Sequence, residues 1–168
     1  MMAIITGNKY RHISHEQGFT LVEILVVLFI CSLVVLPALS HWQQQLQRLR
    51  LIDAARQTVE FIYSSLMEGI YLNQQRILVI NSETKHWRLQ IKNAETEQNI
   101  SQFSGDRFPD IKLKRSSRQS VNLYGRQGTS RAFRIELGNQ TEHITVFMSA
   151  AGRVRSCSYQ KIAGVPPC

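Results

Sequence analysis

A chain of 168 residues that is 43% hydrophobic and 19% charged is long enough for one modest domain with something added, and this composition excludes wholesale disorder. The formal charge is +8 and the excess is distal: from Arg107 to Lys161 eleven Lys or Arg stand against three acids. Five dispersed histidines, with no nucleophile elbow, P-loop or HExxH motif, give no catalytic or metal-holding constellation. The sequence reads as non-enzymatic, with no cofactor and no metal.

Taken in chain order, Lys9 and Arg11 precede an apolar run, as in a secretory signal. Pro37, Ala38, Leu39 and Ser40 make a poor cleavage site, however, and helical periodicity continues past the run. Residues 24–36 read ILVVLFICSLVVL with Ser32 as the one polar break, enough with their flanks to span lipid. Glu23 at the head of this run needs an explanation, because a carboxylate in hydrocarbon is costly. Beyond it, Leu46, Leu49, Ile52, Ala55, Val59, Ile62, Leu66 and Ile70 recur every three or four residues and mark one helix face. The simplest expectation is one helix from Phe19 to Asn73, roughly 80 Å long at a rise of ~1.5 Å per residue. Pro37 is expected to kink it and Gly69 to weaken its end.

After Gln75 the period changes to two. Trp87, Leu89 and Ile91, then Phe133, Ile135 and Leu137, then Ile144, Val146 and Met148 predict half-buried strands, with weaker candidates at 77–80, 111–113 and 121–124. Gly138, Asn139 and Gln140 suit a hairpin turn, and polar segments 93–107 and 114–131 read as loops. Helix followed by strands is an α+β pattern. Its divisions fall at 1–18, a leader; 19–40, a membrane helix; 41–75, an amphipathic helix; and 76–168, a β-rich domain with a basic tail. Cys31 reads as a small membrane-buried side chain. Cys157 and Cys168 could pair if the domain is exported to an oxidising compartment; the alternative is two free thiols.

Gly18-Phe19-Thr20-Leu21-Val22-Glu23 followed by the apolar run resembles the type III signal of type IV pilins and pseudopilins. The resemblance implies cleavage between Gly18 and Phe19 by a prepilin peptidase on the cytoplasmic side, methylation of the new amine, and retention of the helix. It offers that amine, on a neighbouring subunit, as the partner of Glu23. The segment SAAGRVRSC, 149–157, is similar to the GRxR signature of FimT/GspH-type minor pilins, in which a pilin helix carries a β-rich domain. The implied location is the bacterial inner membrane, single-pass, with the distal domain periplasmic, and then a pilus or pseudopilus fibre. Implied partners are other pilin subunits, inner-membrane lipid before assembly, and an inner-membrane assembly platform driven by a cytoplasmic ATPase.

In an extended GRVR segment Arg153 and Arg155 share a face about 7 Å apart, and two guanidiniums can grip phosphates bidentately. Lys161 falls inside the proposed disulfide loop. Lys112, Lys114, Arg115 and Arg118 form a second basic cluster, followed by Arg126, Arg131 and Arg134. The functional expectation is sequence-independent, salt-sensitive binding of double-stranded DNA during natural transformation. Tyr124 and Tyr159 read as packing residues before stacking ones. The alternative is a structural minor pilin, or a GspH-like pseudopilin that primes assembly or caps a type II secretion pseudopilus.

Overall fold

A computed structural model describes residues 20–82, 86–123 and 131–168, without the side chains of Leu36, Pro37 and Ser40. The leader with its cleavage positions Gly18 and Phe19 lies outside the described residues, as do Tyr124 and Arg126. Helix α1 runs from Leu21 to Tyr71, close to the expected bounds, and its helical assignment continues through position 37. The chain divides into two compact units, 1–41 and 42–168.

In the first unit Thr20 caps α1: the Glu23 amide donates to Thr20 Oγ1 at 3.3 Å and to the Thr20 carbonyl at 3.1 Å. Thr20-x-x-Glu23 is thus a capping-box sequence, and Glu23 places a negative charge in the first turn, where the helix dipole favours it. The large apolar side chains described from Leu21 to Leu39 are all more than half exposed, and the Cys31 thiol is exposed and free. Among the described residues no helix is long and apolar enough to cross a membrane, with the side chains of Leu36, Pro37 and Ser40 outside the description.

The second unit builds its core from one stripe of α1 and the inner faces of two antiparallel sheets. Sheet A comprises β1 (Arg76–Asn81), β2 (Arg88–Asn93), β3 (Asn99–Ser104) and β5 (Ser120–Leu123) in the order β3-β2-β1-β5. Sheet B comprises β4 (Lys112–Ser116), β6 (Phe133–Gly138), β7 (His143–Met148) and β8 (Val154–Cys157) in the order β4-β6-β7-β8. Alternate residues on each strand point inward, as the pleat requires: Leu78, Leu89, Ile91, Ile135, Leu137, Ile144 and Val146 are all fully buried. From α1 come Leu51, Ala54, Ala55, Ile62 and Leu66.

Two sequence expectations are corrected here. The buried stripe of α1 begins at Leu51, whereas Leu46 and Leu49, expected inward, are 38% and 59% exposed. Where those residues lie, α1 instead makes charged contacts: Arg48 Nε donates to Glu142 Oε1 at 3.0 Å, and Arg50 pairs with Asp110 at 2.7 Å. Segment 93–107, expected to be a loop, contains β3, and β4 extends to Ser116 within the second expected loop. The edge strand β3 is polar because little of it faces the core, and Phe103 ties it down. Its ring lies 5.6 Å from both Phe61 of α1 and Trp87. Trp87 donates to the Ile111 carbonyl at 3.0 Å and lies against Gly105, where an added Cβ would fall 2.5 Å from Trp87 Nε1.

Candidate nucleic-acid interface

The distal basic residues are organised by the register of sheet B. Its outward positions form rows across the strands. In one row Arg134 on β6 faces Phe147 on β7, which faces Arg155 on β8. This row extends toward β4 through Ser117, whose amide donates to the Arg134 carbonyl at 3.0 Å and whose hydroxyl accepts from the Arg134 amide at 2.9 Å. In the next row Arg115 faces Glu136, then Thr145, then Cys157. With strands ~4.8 Å apart, the Cα atoms of Arg134 and Arg155 stand about 10 Å apart, with Phe147 between them.

The GRVR segment forms the turn and edge of this face. Gly152 has φ 77°, a conformation that an L side chain rarely adopts, and its amide donates to the Ser149 carbonyl at 3.0 Å. The Ser149 amide in turn donates to the Arg153 carbonyl at 3.0 Å, closing the β7–β8 connection. Arg153 and Arg155 are exposed, while Val154 between them packs against the core. The period-two geometry thus puts both guanidiniums on the outward side.

The other basic residues are distributed along the same face. Lys112 faces Gly138 at the far end of the sheet, and the side chain of Lys114 lies against Gly138, 3.3 Å from where a Cβ would stand. Lys161 follows Gln160, whose amide group donates to the Thr141 carbonyl at 3.1 Å and whose Oε1 accepts from the His143 amide at 3.0 Å. Lys161 is therefore tied to the end of β8 opposite Arg153. The lysines gather toward the β6–β7 hairpin, whereas Arg118, Arg134, Arg153 and Arg155 gather toward the β7–β8 turn, with Arg115 between.

Among the described residues, the arginines of this face have few acids beside them. Of the three acids between Arg107 and Lys161, Asp110 is paired with Arg50 and Glu142 with Arg48, both from α1. Glu136 is the one that stands within the outward rows of sheet B. None of Arg115, Arg118, Arg134, Arg153 or Arg155 takes part in the ion pairs of the described residues. The Glu142 carboxylate raises the Arg48 pKa, chiefly through their hydrogen bond, so this acid is committed to α1.

The tail beyond β8 is closed by the Cys157–Cys168 disulfide, with Cα atoms 4.9 Å apart. Backbone bonds from Ser158 to Pro166 at 3.0 Å and from Cys168 to Ser158 at 3.1 Å hold its ends together. The tail stands beside an open cleft of about 550 Å³ on the outward face of sheet B, with Phe147 and Thr145 from β7, Arg134 from β6, and Arg118 and Tyr159 also in its lining. Sequence reasoning passed over Phe147 and named Arg134 only as following the second basic cluster. The alternation of Phe133, Ile135 and Leu137 already assigns Arg134 outward, and Phe147 is an aromatic on the polar phase of ITVFM.

A family model described as the prokaryotic N-terminal methylation motif matches residues 13–39, the interval that contains Gly18, Phe19 and Glu23. The fold is similar to that of the type IV minor pilin FimU of Pseudomonas aeruginosa, with a TM-score of 0.52 and 15% identity, covering 64% of this chain and 88% of that one. No curated protein is significantly similar to it in sequence.

Proposed function

We propose that this type IV pilin-like chain is a minor pilin that binds DNA through the outward face of sheet B. The methylation motif supports the route into a fibre: cleavage after Gly18, a charged amine on Phe19, and a membrane-held apolar helix awaiting extraction by the assembly platform. Glu23 then has two compatible roles, as an acidic residue in the first turn of α1 and as the registry partner of a neighbour's amine. The peptidase, inner-membrane lipid and other pilins are its partners in that sequence.

The observation that carries the DNA reading is the row that joins the two basic clusters. Arg134 lies between the β4 cluster and Arg155, so residues far apart in sequence share one surface. Phosphate oxygens arriving from solvent are the natural counter-charges for guanidiniums without intramolecular acids. The contacts would read backbone, not bases, and would release condensed counterions.

The unit 42–168 holds the entire buried core cluster, so it is a reasonable soluble form for measurement. It should retard duplex DNA in a gel at low salt and lose affinity steeply as salt rises, and Arg153→Gln with Arg155→Gln should weaken it further. Salt-independent retardation, or none at micromolar protein, would overturn the reading. A deletion strain that transforms normally but fails to secrete would instead support the pseudopilin role.

A further inference from the structure

The cleft on the outward face of sheet B has a chemistry that phosphate gripping alone does not require. Its lining includes Phe147 and, two residues away on the same face of β7, Thr145. Arg134 stands beside Phe147 on β6, Arg118 contributes from the turn between β4 and β5, and the 81% exposed Tyr159 lines it from the tail. The Cys157–Cys168 disulfide holds the two ends of that tail segment. A volume of about 550 Å³ lies within the range of small-molecule sites and is ample for one or two nucleobases.

We propose that this cleft takes an unpaired nucleobase, so that the protein prefers DNA carrying single-stranded ends over blunt duplex. The inference rests on the DNA reading above and adds a ligand class to it. An aromatic ring flanked across the strands by arginines is a stacking platform with a cation on each side. A base laid on Phe147 would direct its neighbouring phosphates toward Arg134 and Arg118 in the lining, with Arg155 opposite Phe147 on β8 beyond it. Bases stack on aromatic rings with little regard for sequence, because every base presents a π-face. Single-stranded readers on sheets work in this way, with splayed bases on aromatics and phosphates on basic residues. Inside a duplex both faces of a base are covered by stacking neighbours, and at a blunt end the one open face belongs to a whole base pair, so only an unpaired base can enter the cleft singly. Tyr159, exposed and in the same lining, would cover the second face of an unpaired one.

The test compares three oligonucleotides by fluorescence anisotropy with the 42–168 unit, the decisive pair being the two overhang probes of equal charge. The probes are a blunt duplex, the same duplex with a short thymidine overhang, and a control whose overhang is abasic. The thymidine overhang should bind about tenfold tighter than the abasic one, within what base–aromatic stacking supplies. Phe147→Leu keeps an apolar side chain of similar bulk and should remove that advantage, bringing the thymidine and abasic overhangs to equal affinity. Tyr159→Leu should remove part of it. Equal binding of thymidine and abasic overhangs, or an advantage that persists in Phe147→Leu, would overturn the inference and leave duplex binding standing. Absence of binding to every probe would overturn the DNA reading and this inference with it.

Discussion

The two sheets of the distal unit are alike inside and unlike outside. Both are four-stranded and antiparallel, and both turn alternate Leu, Ile and Val residues into the same core. Outward, sheet A presents Ile77, Val79, Asn81, Gln90, Ser120 and Asn122, with Arg88 and Lys92 as its charged members on β2. Sheet B presents Arg115, Arg134 and Arg155 around Phe147. Folding constrains only the inward phase of each strand. The outward phase is free to carry chemistry, and in this chain one sheet carries nearly all of it.

The largest expected effect concerns the disulfide on the sheet B side. Cys157 and Cys168 close a short loop across a separation of 11 residues, and removing such a cross-link costs about 3 kcal/mol in the chain-entropy model. Urea unfolding of Cys157→Ser paired with Cys168→Ser should show that loss. If the two sheets unfold together, the loss will appear with the same midpoint whether Trp87 fluorescence in a Trp42→Phe background or far-ultraviolet circular dichroism is followed. A sheet B that unfolds first would separate the two signals and break the picture of one shared core.

The comparison of outward faces is sharpened by an exchange of neutralisations. Arg134→Gln with Arg155→Gln should reduce the slope of log affinity against log salt by about 0.9 for each phosphate that the protein no longer neutralises. Arg88→Gln with Lys92→Gln removes the same formal charge from sheet A and should leave the slope nearly unchanged. Equal reductions would mean that net charge alone, and not the arrangement on sheet B, attracts DNA.

How much of this was legible in the sequence depends on the range over which the information acts. The long helix, the strands around Leu89, Ile135 and Val146, and the hairpin at Asn139 follow from local period and turn chemistry. In that turn the Asn139 side chain accepts from the amides of Thr141 and Glu142 at 2.9 and 2.7 Å. β3 did not show because an edge strand with Phe103 as its aromatic anchor has no alternation to read. The helix stripe was misjudged at Leu46 and Leu49 because periodicity says which residues share a face but not where the partner surface begins. The candidate interface was legible as two separate basic clusters. Their union was not, because β4 and β8 are opposite edges of sheet B and the order β4-β6-β7-β8 is a fact of pairing, not of spacing.

The smallest effect tests how sheet A is fastened to α1. Arg76 opens β1 with its side chain 2% exposed, and its guanidinium donates to Glu68 Oε2 at 2.8 Å and to the Ser65 carbonyl at 3.4 Å. The hydrogen bond from Arg76, aided by its charge, holds the Glu68 carboxyl below the usual carboxylate range. A carboxyl lowered on folding contributes stability that is fully present above its unfolded value of about 4.3 and is lost as pH falls through the lower folded value. Native protein should therefore exceed Glu68→Gln in stability at pH 7, with the gap narrowing below about pH 4.3. Because the Glu68 side chain is 57% exposed, water screens the pair and the gap will be modest. A gap that stays constant from pH 7 to below that range would assign Glu68 a packing role in place of an electrostatic one. The fastening of sheet A would then rest on the buried stem of Arg76 and its bond to Ser65.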